Sequence, residues 1–359
     1  MSTMEYDELK QWFIEKKKLF FSSIELTQKC NFRCKHCFCP EKDIAPLSVA
    51  SQKEIIDKIH STGCLFLNMT GGEILGYEHF LELYCYAKEK GFIIDLMTNG
   101  SLLNGEHIDV FKKLPPSNIS ITLYGTNEDE YRRFTGRGKN FTDVMNALKL
   151  LKGNHIPFAL RAVATKMTRE ALQNGSFDRI ADSFGVPFRY DPIIFPKISG
   201  DVTPLKECMS PNQIVDLERC TGLRKVAWET KIEEANNENG FLWHCHAGEN
   251  SIFVDYKGNA FLCGIYRNSP ISLVDNEIDV VLGHLRQLHQ RHIEIVATNE
   301  CSACKMRKMC KWCPAYSLLY NGTETDKVLF FCDLSAVRTR IFGKKVEFGR
   351  GGSREGEET

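Results

Sequence analysis

The chain has 359 residues, enough for about two domains at roughly 150 residues each. Its 46 Lys and Arg are balanced by 46 Asp and Glu and 43% of its residues are hydrophobic, a soluble globular composition without the basic excess of a bulk nucleic-acid binder. No run approaches the ~18 apolar residues of a membrane span, and the start, MSTMEYDELKQWFIEKKK, is charged where a signal peptide is apolar. Neither nucleic acid nor membrane is therefore an expected partner, and the expected compartment is cytoplasmic. In that reducing setting the 15 Cys point to metal or redox chemistry before disulfides.

Taken in chain order, short β-branched or apolar runs alternate with stretches of helical period from Leu19 to Ile194, the pattern of repeated βα units and a parallel sheet. The predicted strands are Phe20 to Leu26, Leu65 to Met69, Ile93 to Thr98, Ile119 to Leu123, Phe158 to Ala164 and Phe188 to Ile194. Predicted helices include Ser51 to Ser61, His79 to Lys90, Phe141 to Lys152 and Arg169 to Phe184, with Gly63, Gly91, Gly153 and Gly185 placed as helix stops. Six such units suggest a partial barrel. Residues 1–19 read as an N-terminal extension, 20–196 as the barrel, 197–240 as a linker with helical signals and 241–340 as a small Cys-rich domain. Residues 341–359, which include GRGGSREGEET, are expected to be a disordered tail.

The strongest local signal is Cys30-Asn-Phe-Arg-Cys34-Lys-His-Cys37, a C-x3-C-x2-C loop directly after the first strand. Three thiolates there could hold three irons of a four-iron cluster and leave the fourth open to a non-protein ligand. Loops after strands gather at the C-terminal face of a parallel barrel, where active sites sit. A half zinc site is the competing reading, and no fourth ligand is supplied nearby.

This loop and its strand context resemble the radical SAM superfamily, whose fold is a partial (βα)6 TIM-like barrel, an α/β architecture. The resemblance continues in Gly71-Gly72-Glu73, similar to the family's GGE motif, where the backbone approaches S-adenosylmethionine (SAM) and the carboxylate meets its ammonium. It implies further SAM contacts from Thr98 and Asn99 at the end of the third strand, from Ser120 and Thr122 on the fourth, and from Arg161 on the fifth toward the SAM carboxylate. Ile74 stands where a Pro often follows GGE, and His36 where an aromatic often precedes the last Cys.

A second array follows: Cys245, Cys263 and Cys301-x2-Cys304-x5-Cys310-x2-Cys313-Pro314, then Cys332. It resembles the SPASM domain of radical SAM enzymes, with two residues between Cys310 and Cys313 where the family usually has three. The resemblance assigns Cys301, Cys304, Cys310 and Cys332 to an outer auxiliary cluster, and Cys245, Cys263 and Cys313 to an inner one. The inner cluster would have an open iron or a fourth ligand among His244, His246 and Cys220. Two zinc sites are the alternative for this region. Cys39, Cys64, Cys85 and Cys208 read as incidental thiols, and Gly136-Arg-Gly138-Lys as a solvated turn rather than an anion site.

The resemblance thus implies three [4Fe-4S] clusters, one of them SAM-binding, and SAM cleavage to a 5'-deoxyadenosyl radical that removes hydrogen from a peptide or protein. The product expected is a thioether or carbon–carbon cross-link, as made by maturases of ribosomal peptides (RiPPs). An anaerobic sulfatase-type maturase is a second possibility, opposed by Gly264 after Cys263 where those enzymes place an Asp. A small-molecule radical SAM enzyme is a third, and a non-enzymatic iron–sulfur electron carrier a fourth. An expected partner is a reductant such as flavodoxin or ferredoxin; because the segment before the first strand is too short to fold alone, a leader peptide, if one is bound, is held by the barrel itself or by a separate leader-peptide recognition protein.

Overall fold

The computed structural model describes residues 6–39, 44–138, 140–220, 228 and 245–342. Six parallel strands run in sequential order: β1 (Phe21–Thr27), β2 (Phe66–Gly71), β3 (Ile93–Thr98), β4 (Asn118–Leu123), β5 (Phe158–Val163) and β6 (Phe188–Asp191). Period-2 burial is clearest in β4, where Ile119, Ile121 and Leu123 are buried while Asn118, Ser120 and Thr122 are half-buried. Register carries this alternation across the sheet, with Asp95 opposite Asn118, Met97 opposite Ser120, Thr122 opposite Arg161 and Arg161 opposite Arg189. One face is therefore apolar and the other polar. The connecting helices bury Ile55, Ile56 and Ile59, then Phe80, Leu83 and Tyr84, then Val144, Leu148 and Leu151. Right-handed crossovers place such helices on the sheet's apolar face, which leaves the polar face to line the barrel interior.

The sheet does not stop at β1. β7 (Ser251–Val254) pairs parallel with it, Phe21 opposite Ser251 and Ile24 opposite Val254, and β8 (Asn259–Phe261) and β9 (Ile271–Ser272) follow antiparallel. The turn between β7 and β8 is set by Asp255, whose carboxylate accepts from the N–H groups of Lys257 and Asn259, and by Gly258 at φ +81°. A Cβ on Gly258 would lie 2.6 Å from Val274 Cγ2. Compact units consequently divide the chain as Met1–Cys208 with His244–Ile293, and Met209–Trp243 with Glu294–Thr359. Of the described residues in the expected 241–340 domain, 245–293 share a compact unit with the barrel strands.

Two local expectations change. The helix expected over Arg169 to Phe184 is two, Arg169–Gln173 and Ser176–Phe184, because Gly175 takes φ +71° and the Asn174 side chain accepts from the Ser176 N–H. Gly153 ends its helix, but the left-handed turn falls on His155 at φ +56°. In the second unit, Arg338 is 1% exposed and pairs with Glu218 through Nη2–Oε1 at 2.6 Å and Nε–Oε2 at 3.0 Å. This two-pronged pair ties helix Leu329–Phe342 to helix Pro211–Cys220, with Trp228 4.2 Å beneath the guanidinium. Residues 221–227 and 229–240 of the expected 197–240 linker, His244, residues 1–5 and the tail from 343 lie outside the described residues. No helix among the described residues is long and apolar enough to cross a membrane.

Candidate active site

β1 delivers the Cys30–Cys37 loop, and the end of β2 meets it at its root. The Gly72 N–H donates to Thr27 O at 2.7 Å and the Glu73 N–H to Lys29 O at 2.9 Å. This approach requires glycine: a Cβ on Gly71 would sit 2.2 Å from Thr27 O, and one on Gly72 2.3 Å from Lys29 O and 2.5 Å from Gln28 O. Backbone on both sides leaves no flexible group to move aside. On its other flank the loop is held by the end of helix Glu128–Thr135, whose Thr135 and Phe134 carbonyls accept from the Arg33 and Lys35 N–H groups.

Aromatic packing completes the loop's support. Tyr124, just past β4, lies edge-on to Phe32 with centroids 5.9 Å apart and stacks on Phe134 at 5.6 Å. His36 stacks on Phe134 at 5.2 Å and 22°, so its ring fills the space of the aromatic that the resemblance leads one to expect there. Burial pushes the Tyr124 hydroxyl well above its usual range, and the neighbouring Cys34, Cys30 and Cys37 add to the shift. The three thiols therefore share one neighbourhood, a donor set that fits a three-thiolate cluster.

Glu73 is no surface residue. It is 2% exposed, and its carboxylate accepts from the Thr98 hydroxyl, from the Asn99 N–H at 2.6 Å and from the Leu75 N–H at 3.0 Å. Asn99 in turn donates to Asn31 Oδ1 at 2.8 Å, and Asn31 donates to Ser101 Oγ at 2.9 Å. The ends of β2 and β3 and the cysteine loop thus form one hydrogen-bonded network. Asn31 and Ser101 were not singled out from sequence; their only signal is adjacency to Cys30 and Gly100. Ile74, in the place of the family's Pro, is fully buried at the start of turn Ile74–Gly76.

Burial raises the Glu73 carboxyl above its ordinary 4.5, opposed by those three donors. A carboxyl raised in the folded state contributes stability that is present at low pH and is lost as pH rises through the raised value. Relative to wild type, Glu73→Gln should therefore gain stability as pH climbs above 4.5, measured by urea midpoints across pH. The same variant should weaken SAM binding without loss of iron, since a charge-assisted hydrogen bond is worth roughly 1.5–3 kcal/mol. Glu73→Ala is a poorer probe, because it strands buried donors at about 1–3 kcal/mol each. An unchanged binding isotherm for Glu73→Gln would reduce Glu73 to a structural role.

Ser120, Thr122 and Arg161 lie on the polar face, on β4 and β5. Arg161 is three strand spacings from Glu73, about 14 Å at the usual separation, so the structure does not bring it to Glu73. That face also carries a pair that sequence reasoning missed: Glu25 on β1, whose Oε1 is 2.8 Å from Arg267 Nη2. Burial raises the Glu25 carboxyl, and Arg267 opposes the shift. Arg267 also covers the Phe253 ring at 4.2 Å. A side chain at Gly264 would meet that ring at 3.1 Å, so the position of the sulfatase-type Asp is faced by an aromatic.

In the second unit Cys301, Cys304, Cys310 and Cys332 line one partly open cavity of about 310 Å³, counting solvent at its mouth, with Met306, Arg307, Trp312, Val328 and Ser335. Burial pushes the Cys301 thiol up to about 11, with Cys310 and Cys332 among its neighbours. Among the described residues no three His, Cys, Asp or Glu side chains gather tightly enough to hold one metal ion. Cys245 and Cys263 fall in the first unit and Cys313 in the second, at the N-cap of helix Pro314–Asn321. His246 Nδ1 lies 2.8 Å from Glu249 Oε2, and Cys220 is exposed.

Residues 24–173 match the radical SAM superfamily. Across most of its length the chain is similar to the AdoMet-dependent heme synthase of Methanosarcina barkeri, 23% identical over 84% of this chain and 93% of that one. It is also similar to the PqqA peptide cyclase of Gluconobacter oxydans, 22% identical over 88% of this chain and 91% of that one. Among solved structures, Streptococcus suis SuiB bound to its precursor peptide SuiA superposes with a TM-score of 0.66 at 15% identity, covering 89% of this chain and 79% of SuiB.

Proposed function

We propose, from the premise that this chain is a radical SAM enzyme, that it modifies a peptide or protein by removing hydrogen from carbon and closing a thioether or carbon–carbon cross-link. The observation that carries the site assignment is the convergence of the Cys30–Cys37 loop with Gly71-Gly72-Glu73 through the Thr27, Lys29 and Asn99 contacts. In this reading Cys30, Cys34 and Cys37 ligate the SAM-binding cluster. Glu73, with the backbone of Gly71 and Gly72, receives the methionyl group, while Thr98 and Asn99 hold the Glu73 carboxylate in place. Ser120, Thr122 and Arg161 face SAM from the polar interior. The bound cluster and SAM supply the hydrogen-abstracting radical, and the protein orients the C–H bond and keeps water out. Cys301, Cys304, Cys310 and Cys332 ligate the outer auxiliary cluster; Cys245, Cys263 and Cys313 are assigned to the inner one by family resemblance alone.

A peptide substrate is supported by the near full-length likeness to a peptide cyclase and by the fold shared with SuiB, solved with its precursor peptide. A small-molecule substrate is the second reading, favoured by the equally extensive likeness to a heme synthase. Co-expression with small peptides encoded beside the gene, followed by mass spectrometry, separates them. A peptide lighter by two hydrogen atoms supports the first reading; unmodified peptides with turnover of an iron porphyrin by the reconstituted enzyme would establish the second.

A further inference from the structure

Arg307 is 7% exposed and lines the same cavity as Cys301, Cys304, Cys310 and Cys332. Its backbone is fixed between two of them: the Arg307 N–H donates to Cys304 O at 2.9 Å, and the Cys310 N–H donates to Arg307 O at 3.0 Å. Its guanidinium lies 5.6 Å from the centre of the Trp312 ring, and that indole is itself anchored by a 2.8 Å hydrogen bond to Asp326 O. The thiols of Cys310, Cys301, Cys313 and Cys304 are its electrostatic neighbours.

Burying a guanidinium is costly unless opposite charge meets it. A cluster ligated by four thiolates is anionic and would set opposite charge beside this guanidinium. Reduction adds an electron to an already negative centre, and net charge at the site is among the terms that set an iron–sulfur potential. We infer that Arg307 is a positioning and charge-tuning residue of the outer auxiliary cluster, holding its guanidinium against the thiolates so that the cluster is more easily reduced. The inference rests on the four-cysteine ligation proposed above. It gives that cluster a place in the reaction as acceptor of the electron left when the substrate radical closes its bond and releases a proton.

The test uses full-length protein carrying Cys30→Ala, Cys34→Ala and Cys37→Ala, so that only auxiliary clusters contribute to an electron paramagnetic resonance titration. Cys332→Ala in this background identifies the outer signal. Arg307→Met should lower its reduction equilibrium tenfold or more, about 59 mV for one electron, at unchanged iron content, and Arg307→Lys should restore most of the shift. If Arg307→Met sheds the outer irons while Arg307→Lys keeps them, the charge is confirmed as the needed element. An iron-replete Arg307→Met with the wild-type potential, or loss of iron in both variants, overturns the inference. A Cys332→Ala variant with unaltered iron and spectrum instead overturns the ligand assignment beneath it.

Discussion

Replacing Cys30, Cys34 and Cys37 together with Ala is expected to remove about four irons per chain and abolish cleavage of SAM, while the irons bound by the C-terminal cysteines remain. The three thiols share one loop, and all three push the Tyr124 hydroxyl upward. The loop is also anchored independently of any metal, through Arg33 and Lys35 to helix Glu128–Thr135 and through Asn31 to Asn99 and Ser101. Losing three small side chains should therefore leave the barrel folded. Iron analysis and chromatography of 5'-deoxyadenosine read the two effects. Residual SAM cleavage would show that the reactive cluster lies elsewhere, and loss of every iron would show that the loop is needed for the C-terminal array.

The barrel was legible because period-2 burial in strands and period-3.6 burial in helices leave separate marks in sequence; β3 spans the same residues, Ile93–Thr98, in prediction and structure. The pairing of β7 with β1 was not, because Ser-Ile-Phe-Val is too short to show a period and its partner, β1, lies some 230 residues earlier. The same limit hid Glu25 and Arg267, two ordinary charged residues made into a pair only by the sheet that β7 extends. Cysteine spacing marks the candidate metal-binding loops, since the order of possible ligands is a property of sequence. Thr98 and Asn99, as partners of the Glu73 carboxylate, were visible only as neighbouring letters at the end of β3, because a hydrogen bond between strand ends depends on register. Composition could place neither Arg307 nor Arg338: both are buried, one beside thiols and one beside a carboxylate, and nothing local in sequence distinguishes them.

Gly72→Ala should abolish SAM cleavage with every cysteine intact. The added methyl would stand 2.3 Å from Lys29 O, 2.5 Å from Gln28 O and 2.7 Å from Gln28 C, all backbone atoms of the segment leading into Cys30. Real Cβ contacts are not that short, so either the β2 end or the root of the cysteine loop must withdraw, and the Gly72–Thr27 and Glu73–Lys29 hydrogen bonds go with it. Overpacking of a tight site typically costs about 1–3 kcal/mol, which a folded barrel can survive. The displacement falls on the ligand loop and on Glu73 together, so iron bound by the loop and affinity for SAM should drop in parallel. Gly76→Ala is the matched control: its methyl would meet only the Leu102 side-chain tip at 2.8 Å, a group that can rotate away. Its iron content and activity should stay near wild type. A fully active Gly72→Ala enzyme would mean that the close crossing of β1 and β2 does not position the cluster, and that the glycines serve the turn alone.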